Sequence, residues 1–234
     1  MCGRYVLHGP RRREVAGDIE DWFDVRDVPR LEPRYNIAPA SDIPVVLRGA
    51  SGERIVRPMR WGLVPAWAKD PAIGSRLVNA RAETIDTKPA FRSAFRSRRC
   101  LVPAAGFYEW QAPARGRGRK QPWYVSPTDD PFFAFAGIME RWGECSDPLY
   151  TACIITTDAN PLMAPIHDRM PAVIAREDWR AWLDPETPTD DLKALLRPPP
   201  VERMQAWPVS WAVNSSSAEG AALVERVEID GETG

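Results

Sequence analysis

The chain has few residues that could ligate a metal ion. It contains two histidines and four cysteines among 234 residues. The cysteines, at positions 2, 100, 145 and 153, show no Cys-x-x-Cys spacing, and only His8 and His167 could add imidazole ligands. We therefore predict no zinc site. We also expect no disulfides, since these are rare in a reducing compartment.

Long apolar runs and an excess of charge of one sign are also absent. No segment approaches the run of about 18 apolar residues that a membrane span needs. The opening MCGRYVLH is too short, and too soon followed by charge, to be a secretory signal. We therefore expect a cytoplasmic protein without a membrane partner. The net charge of −1 does not by itself indicate a nucleic-acid partner.

Positive charge is nevertheless concentrated in parts of the chain. Three consecutive arginines occupy positions 11–13, and a second basic group lies between residues 88 and 120, where Glu109 is the lone acid. Acidic residues gather at 18–27 and near the C-terminus. This asymmetry allows a basic face that could meet phosphates. It is equally compatible with an arginine-rich surface that contacts only water.

Short β-like runs outnumber helical patterns. The runs are CGRYVLH, IPVVLR, RIVRPMRWG, RCLVPAAGFYEW, PWYVS, FFAFAGIME, YTACIITT and PAVIA. The 24 prolines, about twice the average usage, are spread along the chain and indicate many turns and strand ends. The pattern predicts one α+β domain over residues 1–234, with a curved mixed sheet and peripheral helices. We place its core at about 2–214, followed by an acidic C-terminal tail.

Four stretches have helical periodicity. In residues 12–23 the apolar stripe is Val15, Ile19, Trp22 and Phe23, and in residues 88–97 it includes Phe91 and Phe95. The other two stretches are 176–183 and 189–196. We expect Thr189 to be the N-cap of the last helix.

Cys2 is the first candidate for chemistry. A small second residue permits removal of Met1, which would leave a free α-amine beside the thiol. This amine has a pKa near 8, against about 10.4 for lysine, so more of it is neutral and able to attack an aldehyde. The thiol could then close a five-membered thiazolidine ring, favoured because the step is intramolecular. The alternative is that cysteine at this position is incidental.

Glu109 is the second candidate, in the run PAAGFYEW. A strand would place it on the same face as Phe107, with Tyr108 and Trp110 on the other. Desolvation would raise the pKa of this carboxyl and suit it to proton transfer. The alternative is an edge-strand glutamate that faces water or pairs with an arginine.

His167 is the third candidate, in the polar, proline-bounded loop IHDRMP. Catalytic residues often lie on such loops. Asp168 and Arg169 could orient the imidazole or bind phosphate. The alternative is an ordinary surface histidine.

Two further groups suit binding. Asn79 and Arg81, in LVNARAET, would project together from an extended chain and combine polar positioning with phosphate binding. Turn chemistry and an exposed ion pair would explain them equally well. Trp61 and Trp67 could stack on bases, although burial in the core is the ordinary role of tryptophan.

Eight segments, in this order, carry a resemblance to a known family: MCGRY, RYNIAP, WGLVPAWAKD, NARAET, AFRSRRCLVPAAGFYEW, FAFAGIMERW, IITTDAN and IHDRMPAVI. Together they resemble the SOS-response-associated peptidase (SRAP) family from residue 2 to about residue 214. The resemblance implies one compact SRAP-type domain with a barrel-like β-rich core. It implies a cytoplasmic protein that is nucleoid-associated when bound to DNA. We expect a monomer.

The resemblance also implies an activity. The protein would recognise abasic sites in single-stranded DNA, including junctions with duplex, and form a stable thiazolidine crosslink without a metal or cofactor. It would remove the residue before the cysteine by autoproteolysis, and it would have lyase-like and crosslink-reversing capacity. Ala68 departs from relatives that carry a second bulky group after Trp67. The arginine-rich segment 115–119 has no assigned role.

The motifs that match the family also imply a role for individual residues. Cys2 would be the nucleophile, Asn79 would position it, Glu109 would be the general acid and base, and His167 would assist opening of the sugar. The expected DNA contacts are Arg4, Asn36, Trp67, Arg81, Thr156 and Arg169. Two other functions stay open: a cysteine peptidase acting on other proteins through Cys2 and His167, and a non-catalytic single-strand-binding module.

Overall fold

The computed structural model describes residues 2–10, 15–113 and 118–229. Met1, the arginines at 11–13 and those at 115 and 117 lie outside these ranges. The described strands are β1 (Tyr5–Leu7), β2 (Arg34–Ile37), β3 (Asp42–Arg48), β4 (Arg54–Trp61), β5 (Asn79–Arg81), β6 (Arg99–Ala104), β7 (Gly106–Gln111), β8 (Gln121–Pro127), β9 (Phe133–Trp142), β10 (Leu149–Asp158), β11 (Arg169–Pro171) and β12 (Met204–Pro208). The α-helices are α1 (Val15–Phe23), α2 (Arg92–Ser97), α3 (Trp179–Leu183) and α4 (Thr189–Ala194).

The strands form two sheets. The smaller one has the order β12-β8-β7-β1-β2. In the larger one the order β10-β4-β3-β6-β9 closes into a ring because β9 also pairs with β10. Closure removes unpaired edges from these five strands. The predicted α+β fold with a barrel-like core is confirmed.

Strand β10 organises the larger sheet because four strands share its two edges. One edge pairs antiparallel with β9 and, further along, with β11. The other edge pairs parallel with β4 and then with β5. The end of β10 therefore lies between β5, which carries Asn79 and Arg81, and β11, which begins at Arg169.

Aromatic side chains fill the space between the two sheets. Tyr5 of the smaller sheet meets Trp61 of the larger one edge-on, with ring centroids 5.6 Å apart. Phe107 likewise meets Phe135 at 5.9 Å. All four side chains are almost completely buried. Such rings bury large apolar areas, so these contacts fix how the sheets lie against each other.

The helices pack outside the sheets. Val15, Ile19 and Phe23 are buried as the stripe on α1 predicts, and Phe23 stacks on Trp179 of α3 with centroids 4.7 Å apart. None of the helices in these ranges is long and apolar enough to span a bilayer. The N-cap prediction for Thr189 is wrong: Pro188 occupies the cap, and Thr189 is the first helical residue.

The C-terminal stretch packs against the smaller sheet. Leu223 and Val224 are buried, and the indole of Trp207 on β12 donates to the carbonyl of Val224 at 2.9 Å. The backbone N–H of Val227 also reaches the carbonyl of Pro208. Residues beyond the expected core therefore add apolar burial through Leu223 and Val224 and a backbone hydrogen bond at Val227.

Candidate active site

The chain before β1 runs alongside β7. The backbone N–H of Tyr108 donates to the carbonyl of Arg4 at 3.0 Å, which carries the β1–β7 pairing toward Cys2. Cys2 is completely buried, and its Sγ lies 3.9 Å from the same Arg4 carbonyl. From the larger sheet, Nδ2 of Asn79 donates to the carbonyl of Cys2 at 2.7 Å. Cys2 is therefore held between the two sheets.

Glu109 projects from the middle of β7. A Cβ at Gly106 would lie 2.5 Å from the Tyr124 ring, so only glycine permits the close approach of β7 to β8 at its start. Three residues on, the Glu109 side chain is only 2% exposed. Burial raises the pKa of Glu109 to about 7, and the charge of Asp168 adds to the effect. A carboxyl of this kind can both give and take a proton near neutral pH.

The thiol of Cys2 shares this environment. Burial raises the pKa of Cys2 well above its ordinary value, and the neighbouring charge of Glu109 raises it further. The thiol is therefore protonated at neutral pH and needs a base to react.

His167 approaches Glu109 from the loop between β10 and β11. Its Nε2 lies 3.9 Å from Oε2 of Glu109. The backbone N–H of Arg169 donates to Nδ1 at 3.0 Å, which favours the tautomer with its proton on Nε2. Oδ1 of Asp168 lies 2.9 Å from the same Nδ1 and favours a charged ring instead, but the Asp168 side chain is 87% exposed and screened by water. Burial lowers the pKa of His167, so we assign the neutral ring.

One hydrogen bond ties the His167 loop to β7. Nε2 of Gln111 donates to the carbonyl of Pro165 at 3.0 Å. The structure thus brings together residues from the leading segment, β5, β7 and the β10–β11 loop: Cys2, Asn79, Glu109 and His167. The arrangement supplies a thiol, a carboxyl poised near neutral pH and a neutral imidazole.

Arg4 and Asn36 form a pair beside this cluster. Nη1 of Arg4 donates to Oδ1 of Asn36 at 2.7 Å and to the carbonyl of Val213 at 2.9 Å. Asn36 is buried, and its Nδ2 donates to the carbonyls of Ser215 and Ala218. Asn36 therefore orients Arg4 and holds the C-terminal segment. Its predicted contact with DNA stays a prediction.

Thr156 and Arg169 are engaged within the protein. Thr156 is 1% exposed, and its hydroxyl contacts the carbonyl of Ala80 at 3.4 Å. Arg169 makes a forked pair with Glu83 at 2.8 and 3.0 Å and also contacts Asp158 at 2.6 Å. In this structure both residues brace the loop that carries His167, and their predicted DNA contacts stay predictions. Glu83 was missed, although it lies in the NARAET motif.

Comparison with known proteins places these residues in a family. The model of the SOS response associated peptidase (SRAP) family matches residues 1–216. The chain belongs to the SRAP family. It is 42% identical over 230 residues to abasic site processing protein YoaM of Bacillus subtilis (strain 168), covering 96% of this chain and 98% of that protein.

Two more distant proteins also match most of this chain. Abasic site processing protein HMCES of Mus musculus is 33% identical over 267 residues, covering 92% of this chain and 73% of that protein. A crystal structure of a protein from Bacteroides thetaiotaomicron superposes with a TM-score of 0.82 at 27% identity, covering 95% of this chain and 100% of that one. The fold of this SRAP chain is therefore that of a solved structure.

The two predicted stacking tryptophans of this SRAP chain differ. Trp67 is 61% exposed and free to receive a flat ligand. Trp61 is buried, and its Nε1 donates to the carbonyl of Val78 at 2.9 Å. Arg81, at the end of β5, is exposed. Among the described residues, no group of three or more His, Cys, Asp or Glu is arranged to hold a metal.

Proposed function

We propose that this SRAP protein recognises abasic sites in single-stranded DNA and joins Cys2 covalently to the sugar aldehyde, once Met1 has been removed. One observation carries the proposal. Asn79 donates a hydrogen bond of 2.7 Å to the carbonyl of Cys2. Cys2 also lies near the buried carboxyl of Glu109, whose pKa is about 7. The names of the relatives, which describe abasic site processing, support the choice of substrate.

The first covalent step forms an imine. The neutral α-amine of Cys2 attacks the aldehyde carbon to give a carbinolamine, and a proton moves from nitrogen to oxygen. Protonated Glu109 then gives a proton to the departing hydroxyl, which leaves as water, and the C=N bond forms as a protonated imine beside the ionised carboxylate. An acid with a pKa of about 7 suits this transfer because it is still protonated in a useful fraction at neutral pH.

The second step closes the ring. Glu109, now ionised, takes the proton of the Cys2 thiol, and sulfur bonds to the carbon of the protonated imine, whose C=N electron pair returns to nitrogen to give a neutral amine. The product is a thiazolidine, and the net change is the loss of one water. A base is needed because burial raises the pKa of this thiol. Since both groups belong to one residue, the step has a high effective concentration.

His167 is suited to the step that precedes imine formation. An abasic sugar is mostly a closed hemiacetal, which must open before an aldehyde is available. Opening moves a proton from the C1 hydroxyl to the ring oxygen. A neutral imidazole 3.9 Å from Glu109 can accept one proton and return another. The pKa of His167, lowered by burial, keeps the ring neutral at pH 7.

Exposed residues around the site suit the DNA strand. Arg81 is exposed and Arg4 half-buried, so both could pair with phosphates, a sequence-independent and salt-sensitive contact. Trp67 offers a ring on which a base or a duplex end could pack. Removal of the base is the discriminating feature because an intact nucleoside has no aldehyde.

The proposal also includes a peptidase activity and a lyase activity. Hydrolysis of the bond between Met1 and Cys2, which consumes one water, would expose the reactive amine, and the family's name supports a peptidase step. The imine would also permit loss of the 3′ phosphate by β-elimination. A peptidase acting on other proteins is disfavoured because the raised pKa of the buried Cys2 thiol leaves little thiolate.

A denaturing gel tests the proposal with abasic and intact single strands. We expect a denaturant-resistant adduct from the wild type on abasic DNA only. Cys2→Ala should abolish the thiazolidine, and Glu109→Gln should slow it by about 100-fold, the range for loss of a general acid or base.

The control is Cys145→Ala, which removes an exposed thiol and should behave as the wild type. An equally stable adduct with Cys2→Ala, or with undamaged strands, would overturn the proposal.

A further inference from the structure

A tryptophan and two cations form an exposed surface that no step above uses. Trp211 is 44% exposed, and the guanidinium of Arg119 lies 5.7 Å from its ring centroid. Nε1 of Trp211 donates to the carbonyl of Lys120 at 3.0 Å. Arg119 and Lys120 are themselves exposed. We call these three residues the Trp211 surface.

The segment that begins at Trp211 is hydrogen-bonded to residues beside the active site. Trp211 begins a short 3₁₀ helix, Trp211–Asn214. Two residues after Trp211, the carbonyl of Val213 accepts the hydrogen bond from Arg4 at 2.9 Å. The side chain of Asn214 accepts from Nε1 of Trp110, the residue after Glu109, at 2.7 Å.

The charge of Lys120 also acts on the imidazole. Burial is the main cause that lowers the pKa of His167, and the charge of Lys120 makes a smaller contribution. The Trp211 surface and the cluster of Cys2, Glu109 and His167 therefore lie within electrostatic reach of each other.

The geometry points to a second nucleic-acid subsite: the Trp211 surface binds the nucleotides that flank the lesion on one side. This inference rests on the proposed function and extends it. A base would stack on the exposed indole ring, and the adjoining phosphates would pair with Arg119 and Lys120. Base stacking on aromatic rings tolerates any sequence, as a lesion sensor requires.

The mixture of groups favours a nucleic acid over an acidic peptide. Carboxylates would use the two cations but would not stack on the part of the Trp211 ring that stays exposed beside Arg119. A single strand alternates flat rings with anions at a spacing that can use both. The hydrogen bond from the indole Nε1 to the carbonyl of Lys120 keeps the Trp211 ring next to the two cationic residues.

Reversible binding of an abasic analogue that lacks the aldehyde isolates this subsite from the covalent chemistry. Fluorescence anisotropy would compare labelled strands that extend only 5′ or only 3′ of the lesion. For one polarity, we expect Trp211→Ala to weaken binding about tenfold and Trp211→Phe to weaken it much less. Both variants lose the Nε1 donor, so the difference between them reports the ring rather than the hydrogen bond.

The cations are tested by salt dependence. Arg119→Ala combined with Lys120→Ala should reduce the slope of log affinity against log salt by about 1.4, at about 0.7 for each phosphate on a single strand. The matched control is Arg180→Ala, an exposed arginine on α3, which should leave the slope unchanged.

The adduct with a minimal abasic oligonucleotide separates failure of this inference from failure of the proposed function. We expect it to form normally in the Trp211 and Arg119 variants, which also shows that they are folded. Unchanged affinity and slope for strands of both polarities would overturn the subsite. If an acidic peptide bound in a Trp211-dependent way while strands of both polarities did not, the subsite would be overturned and the surface would be a protein contact instead. Absence of any adduct with the wild type would overturn the proposed function itself.

Discussion

Replacing Glu109 by glutamine tests the electrostatics of the site through stability. Burial raises the pKa of Glu109 from its ordinary value of 4.5 to about 7. Between these values the folded protein keeps a proton that the unfolded chain has released. The contribution of this group to stability is therefore fully present below pH 4.5 and is lost as the pH rises through 7. At about 1.4 kcal/mol for each pH unit, the loss is about 3 kcal/mol.

Glutamine does not ionise, so the variant escapes this loss. The free energy of unfolding of Glu109→Gln, minus that of the wild type, should increase by about 3 kcal/mol between about pH 4 and pH 8. Costs that do not depend on pH, such as a weaker hydrogen bond, cancel in this comparison. Urea unfolding at three pH values measures the difference.

Glu202→Gln supplies the control because Glu202 is exposed and its replacement also removes one charge. The control should show no comparable increase. A difference between Glu109→Gln and the wild type that stayed constant across this range would refute the reasoning. Glu109 would then ionise as an ordinary surface carboxyl, and it could not act as a proton donor at neutral pH.

Four further substitutions give predictions from the contacts or the exposure of single residues. Asn79→Ala removes the donor to the Cys2 carbonyl, so the rate of adduct formation should fall about tenfold, measured on denaturing gels. Arg169→Ala removes the forked pair with Glu83 and the contact with Asp158 from a mostly buried arginine, and it should lower the free energy of unfolding in urea by about 2 kcal/mol. Arg81→Ala, an exposed arginine, should instead leave stability unchanged and weaken DNA binding in a salt-dependent way. Tyr108→Phe loses a buried hydroxyl bond and should cost about 1 kcal/mol of stability without changing the adduct rate. Opposite rankings of Arg169→Ala and Arg81→Ala in the two assays would contradict the division between bracing and binding residues.

Local patterns predicted the elements whose signals are strong in sequence. Val15, Ile19 and Phe23 are buried on α1. The helical repeat of 3.6 residues places these apolar side chains on one side of the helix, and that side faces the core. The short strands β2, β5 and β12 were missed. Each gains its partner from a distant part of the chain, so three to five residues carry little signal of their own. Thr189 was wrongly given the cap because proline at 188 already ends the preceding extended chain.

The sequence predicted which residues form the site but not which of them are buried. Residue types and the family resemblance named Cys2, Asn79, Glu109 and His167, which the fold brings together from four separate elements. Burial of Asn36 and Arg169 depends on partners up to 182 residues away in sequence, such as the carbonyl of Ala218. No local pattern reports such partners. The Trp211 surface was missed for the same reason, since Arg119 and Trp211 meet only in the folded chain.

The central claim is that the amine and thiol of Cys2 together capture the lesion, and the mass of the intact adduct tests it most directly. The account predicts the sum of the masses of the chain without Met1 and the abasic strand, less one water, with the crosslinked peptide beginning at residue 2. Cys2→Ser should give only an imine that survives denaturation after borohydride reduction. An adduct that retained Met1, or a stable unreduced adduct with Cys2→Ser, would contradict the account.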